Sequence, residues 1–225
     1  MSDIPAKPDE NPRPCFREAT AAFFFYLAML AAVTWPLAAH FTDWIPGHPR
    51  LSSCVHLWHF WWTREAILDP DLALFFSPML FYPWGVMTLG EFGNFLLPVL
   101  SIPFQAALGL AGSFNLIVFF FIPGAGAGMY LLARRFAAGA PAALLAGAFA
   151  VFLPFEWMEL FNGALEIAVL IRLPACFLLI DAGLRRPSAR RGALLGGCTF
   201  LAAMSSWYYG FFVFLSAGAL ILLGV

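Results

Sequence analysis

Acidic residues beside apolar segments are the first candidates for chemistry in this chain. Asp43 follows an apolar run that extends from about residue 19 to residue 41. A carboxylate at such a boundary could act as a general base, or bind a divalent cation that bridges a phosphate leaving group. The alternative is that Asp43 is the polar residue with which a loop begins. Asp43 is our first candidate catalytic residue, and a divalent cation is the one candidate cofactor.

Two further acids lie in F-E-W-M-E-L-F-N-G, residues 155–163, a segment that we predict to be a short turn between two spans. Glu156 and Glu159 are on either side of Trp157 and three positions apart, so both carboxylates could face one pocket and assist a reaction there. The alternative is that they cap the helix that follows, because acidic side chains favour a helix N-terminus. We name Glu156 and Glu159 as candidate catalytic residues beside Asp43.

Arg172 places a charge inside an apolar segment. It lies about nine residues into residues 163–181, and a charge at that depth costs about 2.5–3.5 kcal/mol on insertion scales, so it usually faces a cavity or a partner. A lipid phosphate in an outward-opening cavity would suit the guanidinium. A carboxylate from another helix is the alternative. We expect Arg172 to bind substrate.

The segment C-V-H-L-W-H-F-W-W-T-R-E-A-I-L, residues 54–68, predicts an amphipathic helix. We expect it to lie flat on the bilayer, with its tryptophans toward lipid and its histidines at the interface. The H-x-x-H spacing could place two imidazoles on adjacent turns for a metal. Spacing fixes no third ligand, so we predict no metal site and treat His56, His59 and Trp62 as candidate substrate contacts.

The composition predicts an integral membrane protein of the all-α class. The chain is 62% hydrophobic and 11% charged, against about 45–50% and about 25% in soluble domains. Its Gly-Ala stretches at 124–128 and 139–148 predict close helix packing. Its four scattered cysteines indicate neither a zinc site nor a disulfide framework.

Residues 1–18 predict a disordered tail, and the lack of a flanking charge at the other end predicts a truncated chain. About six spans are expected in a polytopic bundle, at residues 19–41, 114–133, 137–155, 163–181, 192–207 and 210–225.

The distribution of arginine sets the predicted topology. Residues 92–111 are apolar but contain Pro98 and Pro103, each of which removes a backbone donor from a helix. If this segment spans, six arginines fall on the outer side. If it lies in the interface or re-enters, nine of the twelve basic residues are cytoplasmic, as the positive-inside rule prefers. We predict a multi-pass protein of the cell inner (plasma) membrane, with a cytoplasmic N-terminus and an outer loop over residues 42–112.

Three stretches are then expected to meet at the outer face: the loop 42–112, the segment 155–163, and the W-Y-Y of residues 207–209. Aromatic rings with polar tips favour the headgroup level, so Tyr208 is a further candidate substrate contact. The opposite face carries mostly arginine in short loops rather than an extended basic patch. No nucleic-acid partner is expected.

The order of these parts also points to a family. An anchor helix is followed by an outer loop with L-W-H-F-W-W-T-R-E-A-I-L and F-F-S-P-M-L-F-Y-P-W-G-V. A proline-broken apolar stretch follows, then F-N-L-I-V-F-F-F, Y-L-L-A-R-R, A-A-L-L-A-G-A-F-A-V-F-L-P-F and S-S-W-Y-Y-G. This order resembles the N-terminal membrane module of polytopic C-type (GT-C) glycosyltransferases, many of them uncharacterised bacterial membrane proteins. The likeness covers nearly all of residues 19–225 and rests on arrangement rather than on a strict fingerprint.

The resemblance implies a transferase that takes a sugar from a polyprenyl-phosphate carrier at the extracytoplasmic face. Membrane lipid and a polyprenyl-phosphate sugar donor are therefore the expected partners. The family also places an acid of the first outer loop as base or metal ligand, and it has juxtamembrane helices in that loop. Residues 162–166 and Pro174 match a further stretch of the family.

The sequence departs from the family at that acid. Relatives with the L-W-x-x-W-W stretch tend to carry Gly-Asp about six residues before its first tryptophan, and counting back from Trp58 gives Ser52. No acid lies between Arg50 and Arg64, so Asp43 would replace it from upstream. The alternative function is a catalytically degenerate or truncated membrane protein that acts as a lipid-binding or structural subunit, or as a transporter fragment.

Overall fold

The computed structural model describes residues 16–48, 53–88, 94–136, 138–163 and 172–223, which are mostly helical. The all-α class is confirmed, since the two strands are short and form one antiparallel pair with Phe76 opposite Met87. The elements in chain order are α1 (Phe16–Val33), a 3-10 helix (Leu37–His40), α2 (Ser53–Leu68), β1 (Phe76–Ser77), β2 (Val86–Met87), α3 (Leu96–Arg135), α4 (Ala140–Val151), α5 (Pro154–Asn162), α6 (Arg172–Arg185), α7 (Ala189–Ser205) and α8 (Trp207–Leu223).

The first apolar run forms a shorter helix than expected. α1 has 18 residues, or about 27 Å of helix, and a turn then leads into the 3-10 helix. Pro36 has no backbone N–H, and its ring disfavours helical backbone at Trp35. The predicted single helix over residues 19–41 is therefore wrong after Val33. α1 also begins at Phe16, within the predicted tail, of which residues 1–15 lie outside the described part.

Gly109 divides α3 into two parts. Its φ of 69° and ψ of −178° belong to a region that is essentially restricted to glycine, so the helix is kinked between residues 96–108 and 110–135. Pro103 lies inside the first part without ending it. The sequence placed a boundary at about residue 111, close to the observed break.

Residues 155–163 form a helix rather than the predicted turn. α5 begins at Pro154, and proline suits the first turn because its missing N–H is not needed there. It ends at Gly163, whose φ of 86° gives a left-handed cap. The Trp157 indole donates to the Val151 carbonyl at 2.9 Å and stacks on Phe152, with ring centroids 5.9 Å apart. These contacts tie α5 to the end of α4.

Tyr26 joins α1, α3 and α4 at the centre of the bundle. The residue is fully buried, and its hydroxyl donates to the Leu144 carbonyl of α4 at 2.8 Å. Its ring lies against Gly126 of α3 and its hydroxyl against Gly147 of α4, so closely that neither glycine leaves room for a Cβ atom. The prediction that the Gly-Ala stretches pack closely is confirmed at these two positions.

Ion pairs hold the ends of α1, α3 and α6 together. Glu18 of α1 lies 3.5 Å from Arg134 Nε at the end of α3. Asp181 of α6 binds Arg135 Nε through one carboxylate oxygen at 2.8 Å and Arg185 Nε through the other at 2.7 Å. We call this part of the molecule the arginine end. It comprises Arg134, Arg135, Arg185, Arg186 and Arg191.

We call the opposite end of the bundle the loop end. Residue 95 and residue 115 both lie at this end. Asn115, near the start of the second part of α3, donates to carbonyls of the turn that follows the 3-10 helix. α7 leaves the arginine end after Arg186, and near its other end the Met204 carbonyl accepts from the Phe95 N–H at 2.9 Å. Residues 95–115 therefore do not carry the chain from one end of the bundle to the other.

α6 and α7 contact each other through two sulfur atoms. Cys176 Sγ and Cys198 Sγ are 2.8 Å apart, and Cys176 is buried. These residues are distant in sequence and belong to no C-x-x-C pair, so their spacing gave no sign of this contact.

Two helical segments of the described residues have the length and apolar composition of a membrane span. They are Leu96–Arg135, and Ala140–Asn162, which joins α4 and α5; Trp207–Leu220 is a shorter apolar helix. Core helices of soluble proteins also meet this criterion, so the two segments support membrane association only weakly.

Candidate functional site

The turn that carries Asp43 is held by a buried asparagine of α3. Asn115 Nδ2 donates to the Phe41 carbonyl at 2.7 Å and to the Trp44 carbonyl at 2.6 Å. These two carbonyls flank Asp43, so one amide group fixes the backbone on both sides of it. Asp43 itself is exposed and accepts from Thr42 Oγ1 at 3.3 Å. The carboxylate is thus accessible on a restrained backbone.

The same loop is joined to α5 and to the start of α2. The His48 N–H donates to the Phe161 carbonyl at 3.0 Å. Gly47 and Gly163 both lie against Ser53, the first residue of α2, and a Cβ atom on Gly163 would come within 2.5 Å of Ser53 Oγ and closer still to its backbone. Two glycines, both with positive φ, therefore allow three chain segments to meet at one point.

An apolar pocket of about 260 Å³ lies between this loop and α5. Trp44 and Trp157 face it from the two sides, and its remaining wall comes from the turn after α1. The lining residues are Thr34, Pro36, Leu37, Trp44, Ile45, Pro46, Gly47, Trp157, Leu160 and Phe161. The predicted contact between residues of the loop 42–112 and the segment 155–163 is therefore observed.

The two predicted acids of α5 differ in exposure. Glu156 lies in the first turn of α5 and is only 4% exposed, whereas Glu159 is half-buried. Within the described residues, Glu156 Oε1 has no hydrogen-bond partner. A buried carboxylate oxygen of this kind is costly unless a donor or a proton satisfies it. Neither acid lines the pocket, so these residues and Asp43 share a region without facing one cavity.

The face of α2 that carries the histidines is buried, and our expectation of interfacial histidines is wrong. His56 and His59 are on the face that packs into the protein, together with Phe60 and Trp62. Burial lowers the pKa of His56 to about 4. Burial, with a further contribution from His56, lowers the pKa of His59 to about 3. Both imidazoles are therefore neutral at pH 7 and do not offer a cation to a phosphate.

Polar side chains of α3 contact this face of α2. Gln105 is buried, and its amide donates to the Phe60 carbonyl at 3.2 Å and to Ser101 Oγ at 2.9 Å. Phe60 packs on Phe114, with ring centroids 5.2 Å apart, and Trp62 is fully buried. α2 is thus part of the core, and Trp62 has no exposed surface with which to meet a substrate.

The Phe95 N–H donates to the Met204 carbonyl, which joins the residue before α3 to the last turn of α7. The third predicted stretch begins three residues later, at the start of α8, where Tyr208 is 65% exposed. Arg172 is the first residue of α6, and its side chain lies outside the described part, as do Ser52 and Glu166.

A metal site is not formed by the side chains that the structure describes. Among residues 16–48, 53–88, 94–136, 138–163 and 172–223, no group of three or more His, Cys, Asp and Glu side chains is arranged to hold a metal ion. The histidine pair of α2 thus gains no third ligand from this part of the chain.

No known family model, curated protein or solved structure matches this chain. The likeness to GT-C glycosyltransferases therefore rests on the sequence motifs and their order.

Two residues that matter for this region were not predicted. Asn115 and Gln105 are single amides in apolar stretches, F-N-L-I-V and P-F-Q-A-A. An amide in such surroundings needs hydrogen-bond partners when it is buried, and this was the available signal. It indicates that a partner exists without identifying which distant carbonyl accepts the bond.

Proposed function

We propose that this chain is a GT-C-like membrane glycosyltransferase that transfers a sugar from a polyprenyl-phosphate carrier at the extracytoplasmic face. The observation that carries the proposal is the clamp on Asp43: an exposed carboxylate on a backbone fixed by Asn115, next to an aromatic-walled pocket. In this proposal Asp43 removes the proton from the acceptor hydroxyl as that oxygen attacks the sugar. The polyprenyl phosphate leaves with the electron pair of the broken bond.

A bundle of about six spans is part of the proposal, and the apolar surface of the helices supports it. Leu145 and Phe149 of α4, Phe200 of α7 and Phe214 of α8 are all more than half exposed. Large apolar side chains that project outward from several helices are unfavourable in water and suit lipid. This applies to α7 and α8, which are too short to count as spans by the length criterion alone.

The two ends of the bundle support the proposed topology. Glu18 near the start of α1 lies beside Arg134, and Asp181 brings Arg135 and Arg185 together, so the arginines and the start of α1 are on one side. The positive-inside rule then favours a cytoplasmic arginine end. Reporter fusions at Ala138 and Ser188 should both report a cytoplasmic position. An external signal at either would overturn this orientation.

The proposed role of Asp43 is tested by replacing it with asparagine in the full chain. We expect Asp43→Asn to abolish transfer of sugar from a polyprenyl-phosphate donor in membranes, since the amide cannot accept the proton. Asp71→Asn is the matched control, because Asp71 is an exposed acid of the same loop. Equal protein amounts and an active Asp71→Asn variant would locate the loss at Asp43. Normal transfer by Asp43→Asn would refute the role.

A non-catalytic lipid-binding or structural subunit is the second candidate function. It is favoured by the burial of His56, His59, Trp62 and Glu156, since these predicted site residues offer little surface to a substrate. Such a protein would transfer no sugar in its native form, under conditions in which a known GT-C enzyme is active with the same donor.

A further inference from the structure

The arginine end contains a basic pocket that none of the preceding chemistry uses. It has a volume of about 320 Å³ and lies between the end of α3, the end of α6 and the start of α7. Four of its lining residues are arginines and one is an aspartate, so it is complementary to an anion. The lining residues are Arg135, Leu178, Asp181, Ala182, Arg185, Arg186 and Arg191.

Contacts within the protein fix the geometry of these arginines. Asp181 uses one carboxylate oxygen for Arg135 and the other for Arg185, which holds two guanidinium groups, one from α3 and one from α6, against the same side chain. The Arg191 guanidinium donates to the Arg186 carbonyl, which links the start of α7 to the end of α6. Side chains that are already ordered lose less entropy when an anion binds.

An apolar pocket continues from the basic one. It has a volume of about 600 Å³, is bounded by α3, α6 and α8, and shares Asp181 and Arg185 with its basic neighbour. Its wall is otherwise apolar, and this volume is typical of pockets that hold small molecules. The other lining residues are Leu132, Phe136, Phe177, Ile180, Leu184 and Leu220.

We infer that these two pockets together bind an anionic phospholipid, with its phosphate among Arg135, Arg185, Arg186 and Arg191 and an acyl chain between α3, α6 and α8. The charge of the basic pocket favours a phosphate, which arginine binds through paired N–H donors. The apolar pocket that shares its residues favours a lipid over a free anion. Basic pockets between membrane helices are a known way to bind lipid headgroups. The inference uses the proposed membrane embedding but not the transferase activity.

The test is lipid-dependent thermal stabilisation of the full chain in a neutral detergent. Phosphatidylglycerol should raise the melting temperature in a saturable way. Phosphatidylcholine should raise it less, and inorganic phosphate at the same concentration should leave it unchanged. Arg186→Gln should raise the half-saturating concentration of phosphatidylglycerol about fivefold, as expected for one cation near an anionic headgroup. Arg186 is exposed, so the lipid-free melting temperature of this variant should equal that of the wild type.

Arg190→Gln is the matched control. Arg190 is an exposed arginine in the first turn of α7 but does not line either pocket, so the half-saturating phosphatidylglycerol concentration of this variant should stay within about twofold of wild type. An equal loss in Arg190→Gln would mean that general surface charge attracts the lipid. Equal stabilisation by phosphatidylcholine would remove the role of the arginines. Stabilisation by inorganic phosphate as strong as that by the lipid would make a free anion the ligand. Each of these results overturns the inference.

Discussion

Replacement of Gly163 by alanine tests the junction on which the candidate site depends. The new Cβ atom would lie within 2.5 Å of Ser53 Oγ and closer to the Ser53 backbone, which cannot swing aside as a long side chain can. The φ of 86° at this position adds about 1–2 kcal/mol for a residue with a Cβ atom. Overpacking of a fixed contact typically adds about 1–3 kcal/mol. We expect Gly163→Ala to lower the free energy of unfolding by about 2–5 kcal/mol.

The measurement is thermal unfolding in detergent, followed by tryptophan fluorescence. For a protein of this length, about 2–4 °C of melting temperature corresponds to 1 kcal/mol, so the melting temperature should fall by at least about 4 °C. Trp44 and Trp157 line the neighbouring pocket, and their emission should shift in the folded variant as the loop separates from α5.

Gly196→Ala is the control for this experiment. Gly196 lies inside α7, and an added Cβ atom would meet nothing within 4 Å. Alanine is a better helix former than glycine by about 1 kcal/mol, so this variant should be as stable as the wild type or more stable. A Gly163→Ala protein that melts within about 2 °C of wild type would refute the close contact between α5 and α2.

Three further predictions concern other parts of the molecule. Lowering the pH from 6.5 toward 4 should reduce the free energy of unfolding by several kcal/mol. His56 and His59 take up protons near pH 6.5 in the unfolded chain but only near pH 4 and 3 when they are buried, so acid favours the unfolded state. Denaturant unfolding at stepped pH measures this change. Copper–phenanthroline should oxidise Cys176 and Cys198 to a disulfide, because their sulfurs are 2.8 Å apart. Dioxygen accepts the two electrons and two protons that are released. Mass spectrometry after alkylation measures the loss of two thiols. Gly109→Ala should lower the free energy of unfolding by about 1–3 kcal/mol through backbone strain alone, since no atom lies within 4 Å of the added Cβ; denaturant unfolding measures it.

Each of these predictions has its own control. The double variant His56→Gln and His59→Gln should have a flatter pH profile, and an unchanged profile would assign the acid sensitivity to other groups. Cys198→Ser should retain all three of its remaining thiols under the oxidant, whereas a cross-link in this variant would contradict the pairing. Gly183→Ala in α6 also adds a Cβ atom in open space and should cost nothing. If Gly109→Ala behaves in the same way, the kink in α3 is not where we place it.

Helix positions could largely be predicted from the sequence because they follow local apolar patterns. The face that a helix buries could not. In α2 the histidine face packs against α3, where Gln105 donates to the Phe60 carbonyl and Phe114 packs on the Phe60 ring. Gln105 is 45 positions from Phe60, and a partner so distant leaves no trace in the local pattern.

The acidic residues indicated from sequence where the candidate site lies. Its geometry could not be predicted in the same way. Asp43 was found because a carboxylate next to an apolar run is conspicuous. Its clamp was missed because the hydrogen bonds from Asn115 span 74 and 71 residues. Proline produced the opposite error: Pro36 interrupts the first apolar run, but the length of that run outweighed one residue in our prediction. The sequence therefore does not reveal long-range polar contacts, whereas the effect of a single proline was visible in it and was underestimated.

The place that Tyr26 occupies has a consequence for the order of assembly. Its ring lies on Gly126, its hydroxyl bonds to a carbonyl at residue 144, and Gly147 completes the surface beneath it. All three contacts belong to helices synthesised after α1. α1 therefore cannot complete its native contacts until α4 has been synthesised, more than a hundred residues later.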